Sequence, residues 1–276
     1  MLHGGNREVE RFVPAEGAAA GDLAPLTSAR FVGAAVAALA RGACVLAEES
    51  LALRAEILPA AKAGGGAVWA HPYAAWAMAE VMDGAIVSAE EPAVRGDGCV
   101  LAEHVVLAPR VLLGSRVRIG ASSVIGRPGF GWATGPGGAL RAVPQLAGVV
   151  IEDEVEIGPL CTIDAGTLAP TRIRRGAKLD AQVHVGHNCD IGEGTIVAAQ
   201  SGFAGSVVVG RGVLVGGQVG IADHVRIGDG ARIAAKSGVI GDVPAGGVVA
   251  GYPAVPRVRW LRALAKLYRL VSERSS

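Results

Sequence analysis

An apolar residue returns every six positions through the second half of this chain: Ile173, Leu179, Val185, Ile191, Val197, Phe203, Val209, Val215, Ile221, Ile227, Ile233 and Val239. The residue after the beat is Gly or Ala nine times running, from Gly186 to Ala234. A sustained six-residue period is the signature of a parallel β-helix, in which three hexads make one triangular coil of about 18 residues. Each coil lays three short strands on the coil below, ~4.8 Å away, with the beat residues inside and their small followers at the corners. The same beat opens at Leu101, Leu107, Leu113, Ile119 and Ile125, then breaks over residues 127–148. It resumes at Ile151, Ile157 and Ile163, and four extra residues at Leu168–Thr171 reset its phase. About seven coils follow from this count. The period does not set the hand of the helix, and parallel crossovers are normally right-handed.

Composition narrows the function classes. A formal net charge of +1 gives no global field that would draw nucleic acid. The 41 glycines lack the every-third spacing of collagen and suit a solenoid with tight corners. Cys44, Cys99, Cys161 and Cys189 form no CxxC pair, so they read as small buried hydrophobes in a reducing compartment. The first residues lack the basic and apolar regions of a signal peptide. The apolar stretch 31–47 is interrupted by Arg41 and Gly42, so no membrane span is expected and the expected location is cytoplasmic.

The 276 residues allow one or two domains. Residues 1–95 lack the beat. Ala29–Ala40 and Pro72–Met82 read as helices, and Ala43–Ala47 and Ala67–Ala70 as strands, which predicts a small α/β domain. The β-helix is expected over 96–250, with 127–148 as a long Gly- and Pro-rich loop, and 251–276 as a C-terminal helix. The chain is thus expected to be mainly β. In the last helix Trp260, Leu261, Leu264, Leu267 and Val271 fall on one stripe. Arg257, Arg259, Arg262, Lys266, Arg269 and Arg274 face one acid, Glu273. Two readings stay open: a solvated face on an end cap, and a docking surface for an acidic partner such as acyl carrier protein.

Three of the six histidines lie in the repeat: His184, His187 and His224. Histidine is the natural general base near neutral pH. Stacking puts His187 over Gly205 and Asp223 and leaves His224 two coils away, ~10 Å along the axis. No compact metal set forms on one chain, so no metal is expected, although ligands shared between chains stay open.

The string Asp180-Ala-Gln-Val-His-Val-Gly-His187-Asn188 changes the weight of His187. It resembles the catalytic segment of the UDP-3-O-acylglucosamine N-acyltransferase family of the lipid A pathway. Ile163-Asp164-Ala-Gly166-Thr167, Gly129-Phe130-Gly131-Trp132, Ala198-Ala-Gln-Ser-Gly-Phe-Ala-Gly205-Ser206, Ala234-Ala-Lys-Ser-Gly238 and Gly251-Tyr-Pro-Ala254 continue the match in order. The resemblance implies a left-handed parallel β-helix and a homotrimer with sites between subunits. It implies transfer of an (R)-3-hydroxyacyl group from acyl carrier protein to the 2-amine of UDP-3-O-acyl-glucosamine. The acyl group rides on the carrier's phosphopantetheine arm, and no bound cofactor is implied. The family's general base falls on His187 and its oxyanion donor on the N–H of Gly205. His224 falls near the acyl or phosphopantetheine arm, and Asp180 where substrate is held or groups are oriented. Gly238 falls on a position that limits acyl-chain length, where the absent side chain is expected to leave a roomier channel.

The match departs in several places. The family's uracil-holding Phe, Asn and Tyr correspond to Pro25, Ser28 and Phe31, which weakens stacking and amide hydrogen bonding. The family's Arg after Ile-Asp is Ala165. The Asn before Gln182 is Ala181, and His71-Pro72-Tyr73 stands for the family's Asn-Pro-Tyr. These departures keep two alternatives open: an N-acyltransferase for another nucleotide amino sugar or acyl donor, and a non-catalytic β-helix scaffold.

Overall fold

The computed structural model describes residues 2–85 and 92–272, and in it the hexads close into triangular coils. All twelve beat residues from Ile173 to Val239 are buried. So are residues two before the beat, among them Val183, Cys189, Ser201, Val207, Val213 and Val219. Each hexad therefore sends two side chains inward. The buried polar members of this second column are bonded in place: Ser201 Oγ donates to Gly216 O at 2.9 Å and accepts from Val219 N at 3.2 Å. Such pairing offsets the cost of burying a hydroxyl.

The three walls contain seven, seven and nine strands. His184 aligns with Gly202, which aligns with Gly220, which aligns with Gly238. Gln200 Nε2 donates to Gln182 Oε1, 18 residues earlier, at 2.8 Å, so one coil is 18 residues long. The four extra residues lengthen one step to 22, which pairs Thr162 with His184. Most corners turn through a residue three after the beat held at positive φ, as at Asn188 (60°), Ser206 (62°) and His224 (60°). Asn tolerates this region better than most residues.

Contacts divide the chain into Met1–Ala89 with Phe130–Leu146, and Glu90–Gly129 with Ala147–Ser276. The first unit holds a parallel sheet of Arg11–Phe12, Asp22–Leu26, Cys44–Glu48 and Ala67–His71, in chain order. Helices Val32–Ala40, Glu49–Ala52, Ile57–Gly64 and Ala74–Ala85 accompany it. Its core is built on Leu26, Leu39, Val45, Ile57 and Val68. The segment read as the loop 127–148 contains an antiparallel hairpin, Trp132–Thr134 against Leu140–Ala142. The hairpin packs on the last helix of this unit, where Arg141 lies 4.4 Å from the Trp76 ring and 3.2 Å from Glu80.

The helix expected from Pro72 starts at Ala74 instead. Glu48 Oε1 accepts Ala74 N–H at 2.9 Å, and His71 Nδ1 accepts Tyr73 N–H at 3.0 Å. His71 thereby gives the turn a side-chain acceptor, the service that asparagine side chains perform in many turns. At the other end, Val248–Ala250 and, antiparallel to it, Val255–Pro256 end the nine-stranded wall, and the chain enters helix Arg257–Ser272. Trp260, Leu261 and Leu267 on that helix are exposed. The Val271 side chain, Glu273 and Arg274 lie outside the described residues.

Candidate active site

His187 stands at the corner that follows the strand His184–Val185. Two backbones clasp its ring. A Cβ added at Gly129 would sit 2.7 Å from His187 Cβ, and one added at Gly205 would sit 2.6 Å from Nε2. Only glycine leaves room for the imidazole at either place. Ser206 N–H donates to His187 O at 2.8 Å, which fixes the two corners one above the other. The Gly205 N–H has no hydrogen-bond acceptor among the described residues.

Asn188 sets the ring's orientation and its tautomer. Its Oδ1 accepts from Thr167 N at 3.2 Å and from Thr167 Oγ1 at 2.8 Å, while its Nδ2 donates to Ala169 O at 2.8 Å. These partners allow one orientation of the amide, since a backbone N–H must meet oxygen and a carbonyl must meet nitrogen. The same Oδ1 lies 3.0 Å from His187 Nδ1. Nδ1 therefore carries the hydrogen, and in the neutral ring Nε2, beside Gly205, is the basic atom. Asn188 N–H is held in turn by Thr171 Oγ1 at 2.8 Å. The residues that break the repeat's phase thus act as the bracket for Asn188.

A second polar group lies beside the first. Asp164 is 1% exposed, and burial pushes its carboxyl above the ordinary carboxylate range, against the pull of His184, Arg127 and His187. Thr162 Oγ1 lies 2.7 Å from His184 Nδ1. The Cys189 thiol behind the corner is pushed up to about 12 by burial and donates to Ala204 O at 3.1 Å, so it is no nucleophile at neutral pH.

The other expected site residues are spread more widely. His224 is in the same corner column, with its N–H on Gly205 O at 3.0 Å and its Nε2 3.8 Å from Asp223. Asp180 is exposed at a different corner of the coil, capping Ala181 N–H at 2.7 Å. Gly238 does not leave open space: the Tyr252 ring lies against its Cα, where a side chain would otherwise stand. The roomier channel expected there is filled by that ring. In the N-terminal unit Pro25 is in the strand Asp22–Leu26, and Ser28 precedes the short helical turn Ala29–Phe31. Phe31 packs on the core, with the Arg30 guanidinium 4.8 Å from its ring centre. Sequence reasoning gave no role to Gly129, Asn188, Thr167, Asp164 or Arg127. For all but Arg127 the signal was present, because the matched strings contain them.

The bacterial transferase hexapeptide (six repeats) family model matches residues 170–205. A UDP-3-O-acylglucosamine N-acyltransferase of Anaeromyxobacter dehalogenans (strain 2CP-C) is 50% identical over 180 residues, covering 63% of this chain and 51% of that protein. One from Geobacter sp. (strain M21) is 57% identical over 141 residues, 51% of this chain and 41% of that one. Over the stretches matched, the chain is similar in sequence to curated UDP-3-O-acylglucosamine N-acyltransferases. It spans about half, or less, of the length of these relatives. In fold it is similar to a UDP-N-acetylglucosamine acyltransferase from Francisella novicida, at 24% identity and TM-score 0.51, over 60% of this chain and 66% of that one.

Proposed function

We propose that this chain is an N-acyltransferase of lipid A biosynthesis. It moves an (R)-3-hydroxyacyl group from acyl carrier protein to the 2-amine of UDP-3-O-acyl-glucosamine. The observation that carries this reading is the His187 ring, clasped between Gly129 and Gly205 with Nδ1 committed to Asn188. Nε2 takes a proton from the amine as its nitrogen attacks the thioester carbon. The carbonyl oxygen gains charge and accepts the Gly205 N–H. The C–S bond then breaks, the amide remains, and the imidazolium returns its proton to the thiolate of the phosphopantetheine arm. No bound cofactor or metal enters this scheme.

Asp180 and His187 occupy different corners of one chain, so a site using both draws them from neighbouring copies. A homotrimer supplies that arrangement, and the basic helix Arg257–Ser272 suits an acidic carrier. No helix among the described residues is long and apolar enough to cross a membrane. The proposed location is cytoplasmic.

A second reading rests on the N-terminal unit, where Pro25, Ser28 and Phe31 replace the uracil contacts and Phe31 is packed on the core. In that reading the acceptor is another nucleotide amino sugar. Purified protein supplied with hydroxyacyl carrier protein is expected to acylate UDP-3-O-acyl-glucosamine. Product only with a different amino sugar selects the second reading. No product with any donor and acceptor leaves a scaffold and contradicts both.

A further inference from the structure

The three walls of the β-helix turn unlike faces outward. The His184 wall presents Thr162, His184, Gly202 and Gly220, and its two glycines leave bare main chain. The nine-stranded wall presents Val100, Ile196, Leu214 and Val248, all exposed. The wall that holds Asp190 presents Val94 and Leu112, also exposed. Among the described residues, Val106 is the one exposed large apolar side chain on the strands of the His184 wall. Exposed apolar side chains gathered on two of three walls mark an interaction surface.

The corner that joins those two walls carries a second pattern. Two residues past the beat stand Asp153, Arg175, Glu193, Arg211 and Asp229, one to a coil, so the sign of the charge alternates along the corner. The same column reads His187, Gly205 and Asp223 at the His187 corner, and Ala181, Ala199 and Gly217 at the Asp180 corner. Within one chain the charged column is only partly paired. Arg175 Nη2 lies 3.2 Å from Glu154, and Arg211 Nη2 lies 3.3 Å from Asp229. Glu193, between the two arginines, is exposed and makes no ion pair among the described residues. Each arginine stands one coil, ~4.8 Å, from an acid above and an acid below. Where copies of the chain meet along this corner, an arginine leaning one coil up or down meets an acid of the neighbouring copy, which is complementarity of charge without any sliding of the copies.

We infer that this charged corner is the surface by which the chain meets further copies of itself, running along the three-fold axis with the nine-stranded wall of one copy facing the Asp190 wall of the next. The inference rests on the homotrimer reading and names the surface that builds it. Three triangular prisms closed about one corner cover the two walls that flank it and leave the third wall outside. The wall left outside is the bare His184 wall. Its two corners then stand beside the neighbours, which brings Asp180 next to the partner subunit's His187. Either other corner at the axis fails to do so: one would gather the three Asp180 residues there, and the other the three His187 residues.

The test joins mass to cross-linking. Light scattering gives the assembly size of the wild type and of each variant, and circular dichroism confirms that each variant is folded. Glu193→Cys treated with a short bis-maleimide is expected to give covalently linked copies on a denaturing gel, because position 193 of every copy surrounds the axis. Gln200→Cys, exposed on the Asp180 corner, is expected to stay unlinked, and the wild type controls for its own four cysteines. Arg175→Glu combined with Arg211→Glu makes the column wholly acidic and is expected to weaken association by about tenfold or more. A wild-type trimer whose Glu193→Cys variant links no better than Gln200→Cys overturns the inference and leaves the homotrimer reading standing. A charge reversal that leaves association unchanged also overturns it. A monomeric wild type overturns both the inference and the homotrimer reading.

Discussion

At the residue scale, the geometry makes His187 depend on groups that touch no substrate. Asn188→Leu keeps the size of the side chain and removes the acceptor for Nδ1. It is expected to lower kcat by about tenfold or more, with KM little changed, because the base loses its tautomer and orientation. Steady-state kinetics separate the two parameters. Gly205→Ala puts a methyl into the space of the imidazole, at 2.5 Å from Cε1 and 2.6 Å from Nε2. Displacing a base by about 1 Å costs on the order of 100-fold, which is the loss expected in kcat/KM. The buried Cys189 thiol predicts the opposite behaviour toward reagents: a thiol-directed alkylator at neutral pH should leave activity intact. His187 and Gly205 were legible in the sequence because one lies in a matched string and 18-residue stacking places the other above it. Asn188 was harder to read, since its task follows from the bracket made by Thr167, Ala169 and Thr171. Arg127 was not legible, because only the bulge at Gly126 turns it toward Asp164.

At the element scale, the hexad is the unit of stability. Phe203 is fully buried and is the one aromatic among aliphatic beats. Phe203→Ala should cost about 3–5 kcal/mol, read as a lowered denaturation midpoint. Alternation inside the hexad was only half legible: the beat shows as six-residue periodicity, while the second inward column mixes Val, Ala, Cys, Ser and Thr and has no single apolar signature. The hairpin 132–142 was hidden for a different reason. Its flanks are rich in Gly and Pro, and its anchor, Trp76 beneath Arg141, is far away in sequence. In the N-terminal sheet, Asp22 is buried, and burial alone would raise its carboxyl. The Ala19 N–H and Arg11, whose Nε is 2.8 Å away, together hold it below the ordinary value. Its stabilisation is therefore complete above the unfolded carboxylate pKa and is lost as pH falls through the lower folded value. Asp22→Asn should flatten the acid side of a stability–pH curve, measured by denaturant titration.

At the scale of the whole molecule, the account requires more than one copy of the chain, because Asp180 and His187 are at different corners of the same coil. Light scattering on the purified protein should give the mass of a trimer, and a monomer that is fully active would remove the shared site. The central claim is narrower: His187 is the base of an acyl transfer. Its most direct test is the rate of N-acylation of UDP-3-O-acyl-glucosamine from hydroxyacyl carrier protein by the wild type and by His187→Ala. The account predicts product with the wild type and a kcat at least ~100-fold lower in the variant; a His187→Ala protein that acylates at the wild-type rate would contradict it.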